Sequence, residues 1–133
     1  MTKMRIEGSF VAMVTPFNQD GAVDFGAFRT LLDFQEQHGS VAVLFMGSTG
    51  EPTLLTPEEK KQALVETAKM KTGKMKFFYG CTGNTTDQVI ENVRFAKANG
   101  ADGAIIAAPP YLCAPEQDIE DFYLEVGDAT NLP

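Results

Sequence analysis

Val41-Ala42-Val43-Leu44-Phe45-Met46-Gly47-Ser48-Thr49-Gly50-Glu51 sets the architecture of this chain. Val41 to Phe45 are apolar without alternation, the pattern of a strand buried on both faces. Two glycines then bracket two hydroxyl residues in a tight loop. Shortly after, Thr56-Pro57-Glu58-Glu59 opens a helix. The threonine caps orphan N–H groups, the proline suits the first helical position, and the acids face the positive end of the dipole. Ala63, Leu64, Thr67 and Ala68 form its inner face, and Gly73 follows its end. A doubly buried strand, a loop and a one-faced helix make one β–α unit of a parallel sheet.

The unit recurs on both sides. Upstream, Phe10 to Val14 reads as a strand stopped by Thr15-Pro16, and Asn18-Gln19-Asp20-Gly21 is a turn. Asp24 caps a helix with Phe25, Phe28, Leu31 and Leu32 on one face, and Gly39 ends it. Downstream, Lys76 to Cys81 is a third strand, and a helix from about Thr86 to Gly100 turns Val89, Val93 and Ala96 inward. Gly103 to Ala108 is a fourth strand, stopped by Pro109-Pro110. The last helix begins near Pro115-Glu116, packs Ile119, Phe122 and Val126, and ends between Gly127 and Thr130.

The reading is α/β, (βα)4, with residues 1–133 as one piece and no linker. Four units give about 33 residues each; a (β/α)8 barrel of roughly 250 residues uses about 31. The chain therefore has the size of half a barrel. A small doubly wound sheet is the rival arrangement. Strand order separates them: 1-2-3-4 for a barrel arc, 2-1-3-4 for a flavodoxin-like sheet.

Composition removes several functions. Eleven Lys+Arg against 18 Asp+Glu leave a net charge of −7, without the basic face from which nucleic-acid binding draws its affinity. The longest early apolar run, Phe10 to Val14, is too short to cross a bilayer, and no secretory signal is recognisable. A cytoplasmic protein with neither nucleic-acid nor membrane partner is expected. Cys81 and Cys113 form no Cys-x-x-Cys pair and read as free thiols; with His38 the one histidine, a metal site or Ser-His-Asp chemistry has little to stand on.

In either parallel architecture, ligands sit at the carboxyl ends of the strands. The loops there are Thr15-Pro16-Phe17, Gly47 to Glu51, Gly80-Cys81-Thr82-Gly83-Asn84 and Pro109-Pro110-Tyr111. The second suits a carboxylate or small phosphate, because its glycines bring adjacent N–H groups close to an anion and its hydroxyls add donors. The alternative is a structural turn whose hydroxyls cap Glu51 and the backbone beyond. Tyr111 could relay a proton or simply pack. Asn84 reads as a backbone cap, His38 as a surface residue, and Cys81 as a thiol without a base.

Gly8 to Phe17, Gly47-Ser48-Thr49-Gly50-Glu51, Thr82-Gly83-Asn84 and Pro109-Pro110-Tyr111, in this order and spacing, resemble the dihydrodipicolinate synthase and N-acetylneuraminate lyase family. The resemblance implies a (β/α)8 barrel and a class I aldolase or lyase. Pyruvate or a related 2-oxo acid forms a Schiff base with a lysine, and the enamine adds to, or is released from, an aldehyde without metal or organic cofactor. It implies that Ser48 and Thr49 hold the pyruvate carboxylate. It further implies that Ser48 and Tyr111 belong to a proton relay, in a homo-oligomer built on a tight dimer or extended to a tetramer. Leu112-Cys113 departs from the family, many of whose members carry a polar or aromatic residue there. The family's lysine and second relay tyrosine lie on the fifth and sixth strands, beyond Pro133. The chain's own lysines lie at Lys3, on helices, or between Lys69 and Lys76. The chain is thus expected to be the carboxylate-binding N-terminal half of such an enzyme, inactive alone. The rivals are a non-catalytic half-barrel that binds a small carboxylate or assembles with another chain, and a flavodoxin-like sheet binding phosphate at Gly47 to Glu51.

Overall fold

In the computed structural model, which describes residues 4–109 and 113–133, four strands alternate with four helices. They are β1 (Phe10–Ala12), α1 (Phe25–Gln37), β2 (Ala42–Phe45), α2 (Pro57–Ala68), β3 (Lys76–Gly80), α3 (Thr86–Ala98), β4 (Gly103–Ile105) and α4 (Glu116–Thr130). All pairings are parallel, in the order β1-β2-β3-β4. That order is the barrel arc and rules out the flavodoxin-like sheet.

Local chemistry fixes each helix start. Asp24 accepts the Ala27 N–H at 2.9 Å. Thr56 and Glu59 form a reciprocal capping box, with Pro57 in the first turn. Thr85 accepts the Gln88 N–H at 3.2 Å. Gly39, Gly73 and Gly100 take positive φ at the turns that lead into the next strand, a conformation free of steric cost only for glycine. The last helix runs to Thr130, the far end of the expected range; Gly127 lies within it, and Asn131 supplies the left-handed cap (φ 49°), which asparagine tolerates.

Every strand is shorter than its apolar run: β1 stops at Ala12 rather than Val14, β2 starts at Ala42 rather than Val41, β3 stops at Gly80 rather than Cys81, and β4 stops at Ile105 rather than Ala108. Hydrophobicity reports burial, and burial continues past the strand ends: Met13 and Cys81 are buried, and each still donates its N–H to the neighbouring strand, to the Leu44 and Ile105 carbonyls at 2.9 Å.

The register divides the sheet into two faces. Val11, Val43, Phe45, Phe77, Tyr79 and Ala104 point to the helices and join Phe28, Leu32, Leu64, Val89, Val93, Phe122 and Val126 in one core. Phe45 packs on Phe28, Phe77 and Tyr79, with ring centroids 5.0–5.8 Å apart. Burying each such ring contributes about 1.5–3 kcal/mol. The opposite face carries Phe10, Ala12, Leu44, Phe78, Gly103 and Ile105. It is apolar too, apart from Lys76 at its amino end, and no described helix covers it. In a closed barrel this face lines the interior.

Candidate functional site

The loops that follow β1 and β2 meet above the carboxyl end of the sheet. After β2 the backbone departs from ordinary strand geometry. Met46 takes φ 56°, a short 3-10 turn spans Ser48–Gly50, and Glu51 takes φ 52°. Both positive-φ residues carry side chains, which costs about 1–3 kcal/mol at each and persists only where the surroundings enforce it. Two contacts do so. Gly80, at the end of β3, lies so close to the Met46 carbonyl that a Cβ there would overlap its oxygen and carbon. The buried Thr15 hydroxyl donates to the Gly50 carbonyl at 2.6 Å.

The turn is closed by its own backbone: the Gly50 N–H bonds the Gly47 carbonyl at 2.8 Å, and the Glu51 N–H bonds the Ser48 carbonyl at 3.1 Å. The Ser48 and Thr49 N–H groups head the turn, where no intrahelical acceptor exists. Their side chains are exposed, and neither hydroxyl bonds a described residue. The capping alternative therefore fails: nothing in the turn consumes these hydroxyls.

Loops three and four are tied by Thr82, whose Oγ1 accepts the Ala107 N–H at 2.9 Å. Asn84, expected as a cap, contributes its backbone N–H instead, to Gln88 Oε1 at 2.8 Å. A cleft of about 840 Å³ opens between the loops after β2, β3 and β4 and helices α2 and α3. Ser48, Pro52, Thr82, Asn84, Gln88 and Lys60 are among its lining residues. Tyr111 lies outside the described residues.

The remaining candidates keep their modest readings. His38 stacks on Phe34 (4.1 Å) at the surface, its Nδ1 2.7 Å from the Phe34 carbonyl oxygen. Burial pushes the Cys81 thiol up to about 12, so at neutral pH it is not a thiolate nucleophile. Tyr79, raised by burial despite its hydrogen bond with Thr67 (2.9 Å), belongs to the core. Several lysines are engaged elsewhere: Lys71 and Lys76 with Asp102, Lys74 with Glu36, Lys69 with Glu66 and Lys97 with the α4 terminus. Lys76 is the one lysine on a described strand, and it sits at the amino end, away from the loops above.

Ser48 and Thr49 lie, as expected, in the loop at the carboxyl end of β2; sequence reasoning gave Thr15, Gly80 and Thr82 no role. Gly80 did carry a signal, since glycine closing a strand marks a close backbone approach.

Sequential parallel strands, helices on one face, and a hydroxyl-rich turn at the carboxyl end define the N-terminal half of a (β/α)8 barrel. The sequence matches the Dihydrodipicolinate synthetase family over residues 5–133, and the chain belongs to that family. The 4-hydroxy-tetrahydrodipicolinate synthase of Gluconacetobacter diazotrophicus is 35% identical over 133 residues, covering 100% of this chain but 45% of the relative. The crystal structure of dihydrodipicolinate synthase from Aquifex aeolicus superposes with a TM-score of 0.88 at 33% identity, covering 96% of this chain and 43% of that one. The chloride-inhibited enzyme from Acinetobacter baumannii, complexed with pyruvate, gives 0.91 at 31% identity, with 97% and 44% covered. The chain thus spans less than half the length of these relatives.

Proposed function

We propose that this chain is the carboxylate-binding half of a pyruvate-dependent aldolase or lyase barrel, with Ser48 and Thr49 taking the substrate carboxylate. The supporting observation is the Gly47–Glu51 turn, held in a strained shape from outside while both hydroxyls are exposed and bonded to no described residue. Family membership and the pyruvate complex of the Acinetobacter relative agree with it.

In a complete barrel, the amine of a lysine supplied beyond Pro133 attacks the pyruvate ketone. Loss of water gives the imine, and loss of a methyl proton gives the enamine. The enamine carbon then bonds to the aldehyde carbon, whose oxygen takes up a proton, and water hydrolyses the resulting imine to release the product and restore the amine. Ser48 and Tyr111 move protons in this sequence. No metal or organic cofactor enters it, and the complete protein is a homo-oligomer. Lys69, Lys71, Lys74, Lys76 and Lys97 pair with acids or carbonyls, whereas Lys60 and Lys61 line the cleft from α2. In this reading the nucleophile is a lysine of the other half.

The test joins this chain to the C-terminal half of the Gluconacetobacter relative and compares Thr49→Ala with the parent. Losing a hydrogen bond to a charged group costs roughly 1.5–3 kcal/mol, so kcat/KM for pyruvate falls about 10- to 150-fold. An unchanged value removes Thr49 from the site.

A further inference from the structure

We propose that Thr15 is a positioning residue for the Ser48-Thr49 turn: its hydroxyl holds the Gly50 carbonyl and thereby sets the affinity for the carboxylate. This rests on the reading of that turn as a carboxylate site.

Three polar residues are buried among those described: Thr15, Thr67 and Thr130. Thr67 and Thr130 donate to carbonyls four residues back in their own helices, Ala63 and Val126, each at 2.7 Å. Such bonds are local and common for threonine in helices; Thr67 also meets the Tyr79 hydroxyl at 2.9 Å, inside the core and away from the turn. Thr15 is different. Its bond joins two loops 35 positions apart and lands on the last residue of the functional turn. The loops are also in close contact there: a Cβ on Gly50 would lie 3.3 Å from both Thr15 Oγ1 and the Met13 carbonyl oxygen. The next residue, Glu51, is in the left-handed region, so the turn does not hold its shape through local preference. A loop strained in this way relaxes unless its neighbours enforce it. Thr15, three residues past the end of β1 and only 7% exposed, ties the turn to the segment leaving the sheet. The hydrogen bond is short and shielded from water, so its loss is felt at the turn itself.

Thr15→Val keeps the side-chain shape and removes the donor; Thr15→Ser restores the donor. Thr15→Ala replaces Val if the added methyl is not accommodated. Two readouts on the 133-residue chain decide the matter: amide hydrogen exchange at Gly50 and Glu51, and amide-shift titration with pyruvate. The expected result is exchange at those two amides faster by about 2- to 10-fold in Thr15→Val, with β3 amides such as Phe78 unchanged. Pyruvate binding weakens by a similar factor, and Thr15→Ser recovers both. Unchanged pyruvate affinity in Thr15→Val overturns the proposal, as does a uniform rise in exchange across the sheet, which marks a general stabiliser. A parent chain that shows no pyruvate-dependent shifts overturns the carboxylate reading instead. The exchange rates then still report whether Thr15 holds the turn.

Discussion

At the carboxyl end of the sheet, loops are held by threonine hydroxyls and close backbone contact. At the amino end they are held by charge. Asp102 accepts the Phe77 N–H at 2.8 Å and pairs with Lys71 (2.5 Å) and Lys76 (3.4 Å). Lys71 also donates to the Gly100 carbonyl at 3.1 Å, and Arg29 to the Met70 carbonyl at 2.7 Å. Positive φ at the helix ends there falls on Gly39, Gly73 and Gly100, where it costs little, and on Asn131, which tolerates it; at the carboxyl end it falls on Gly21 and also on Met46 and Glu51, where it costs more. The amino end thus behaves as a set of relaxed ties that stabilise the unit. The carboxyl end stores strain and leaves the Ser48 and Thr49 hydroxyls without a partner among the described residues.

The largest effect that sharpens this contrast is expected from Tyr111→Phe in the joined barrel. Proton transfer by a placed group is worth about 10²–10⁴ in rate, so turnover falls by that factor while pyruvate binding barely changes. Turnover within about twofold of the parent returns Tyr111 to packing.

Gly80→Ala comes next. Its Cβ would collide with the Met46 carbonyl backbone, whereas Gly47, with φ −77° and nothing within 4 Å of a built Cβ, accepts alanine. Urea unfolding is expected to show a loss near the top of the 1–3 kcal/mol range for overpacking, roughly 3 kcal/mol at Gly80, and within about 0.5 kcal/mol of the parent at Gly47. Equal effects at the two glycines break the account of the strained turn.

The amino end is expected to respond to pH more gently. Burial alone raises the Asp102 carboxyl, but hydrogen bonds from Lys71 and the Phe77 N–H, together with the two lysine charges, outweigh it and leave it below the ordinary value. A depressed carboxyl contributes stability above its unfolded value of about 3.9 and loses it as pH falls through the folded value. Asp102→Asn therefore costs about 1 kcal/mol at pH 7, the lysines being partly exposed, and the difference shrinks below about pH 4. Chemical denaturation at pH 7 and pH 3 checks this; a difference independent of pH removes the carboxylate from the tie.

Strand and helix positions were legible in the sequence because each signal is local: unbroken apolar runs, and Asp24, Thr56 and Thr85 ahead of helices. Strand ends were not. Val14 and Ala108 are as apolar as the residues that pair, and pairing stops where the neighbouring chain turns away. The location of Ser48 and Thr49 was legible because glycines flank them after a buried strand. What fixes them was not, since the φ of Met46 and Glu51 and the bond from Thr15 to Gly50 depend on residues distant in sequence. The end of α4 was legible only as the range Gly127 to Thr130; the helix takes the far end because Asn131 supplies the left-handed cap, and glycine alone does not stop a helix.

In the division of labour proposed above, this half binds the 2-oxo acid while another half supplies the amine. Borohydride reduction in the presence of pyruvate, read by intact mass, tests that directly. The 133-residue chain alone is predicted to gain no pyruvyl adduct, and the same chain joined to the C-terminal half of the Gluconacetobacter relative to gain one per chain. A stoichiometric adduct on one of the short chain's own lysines would contradict it.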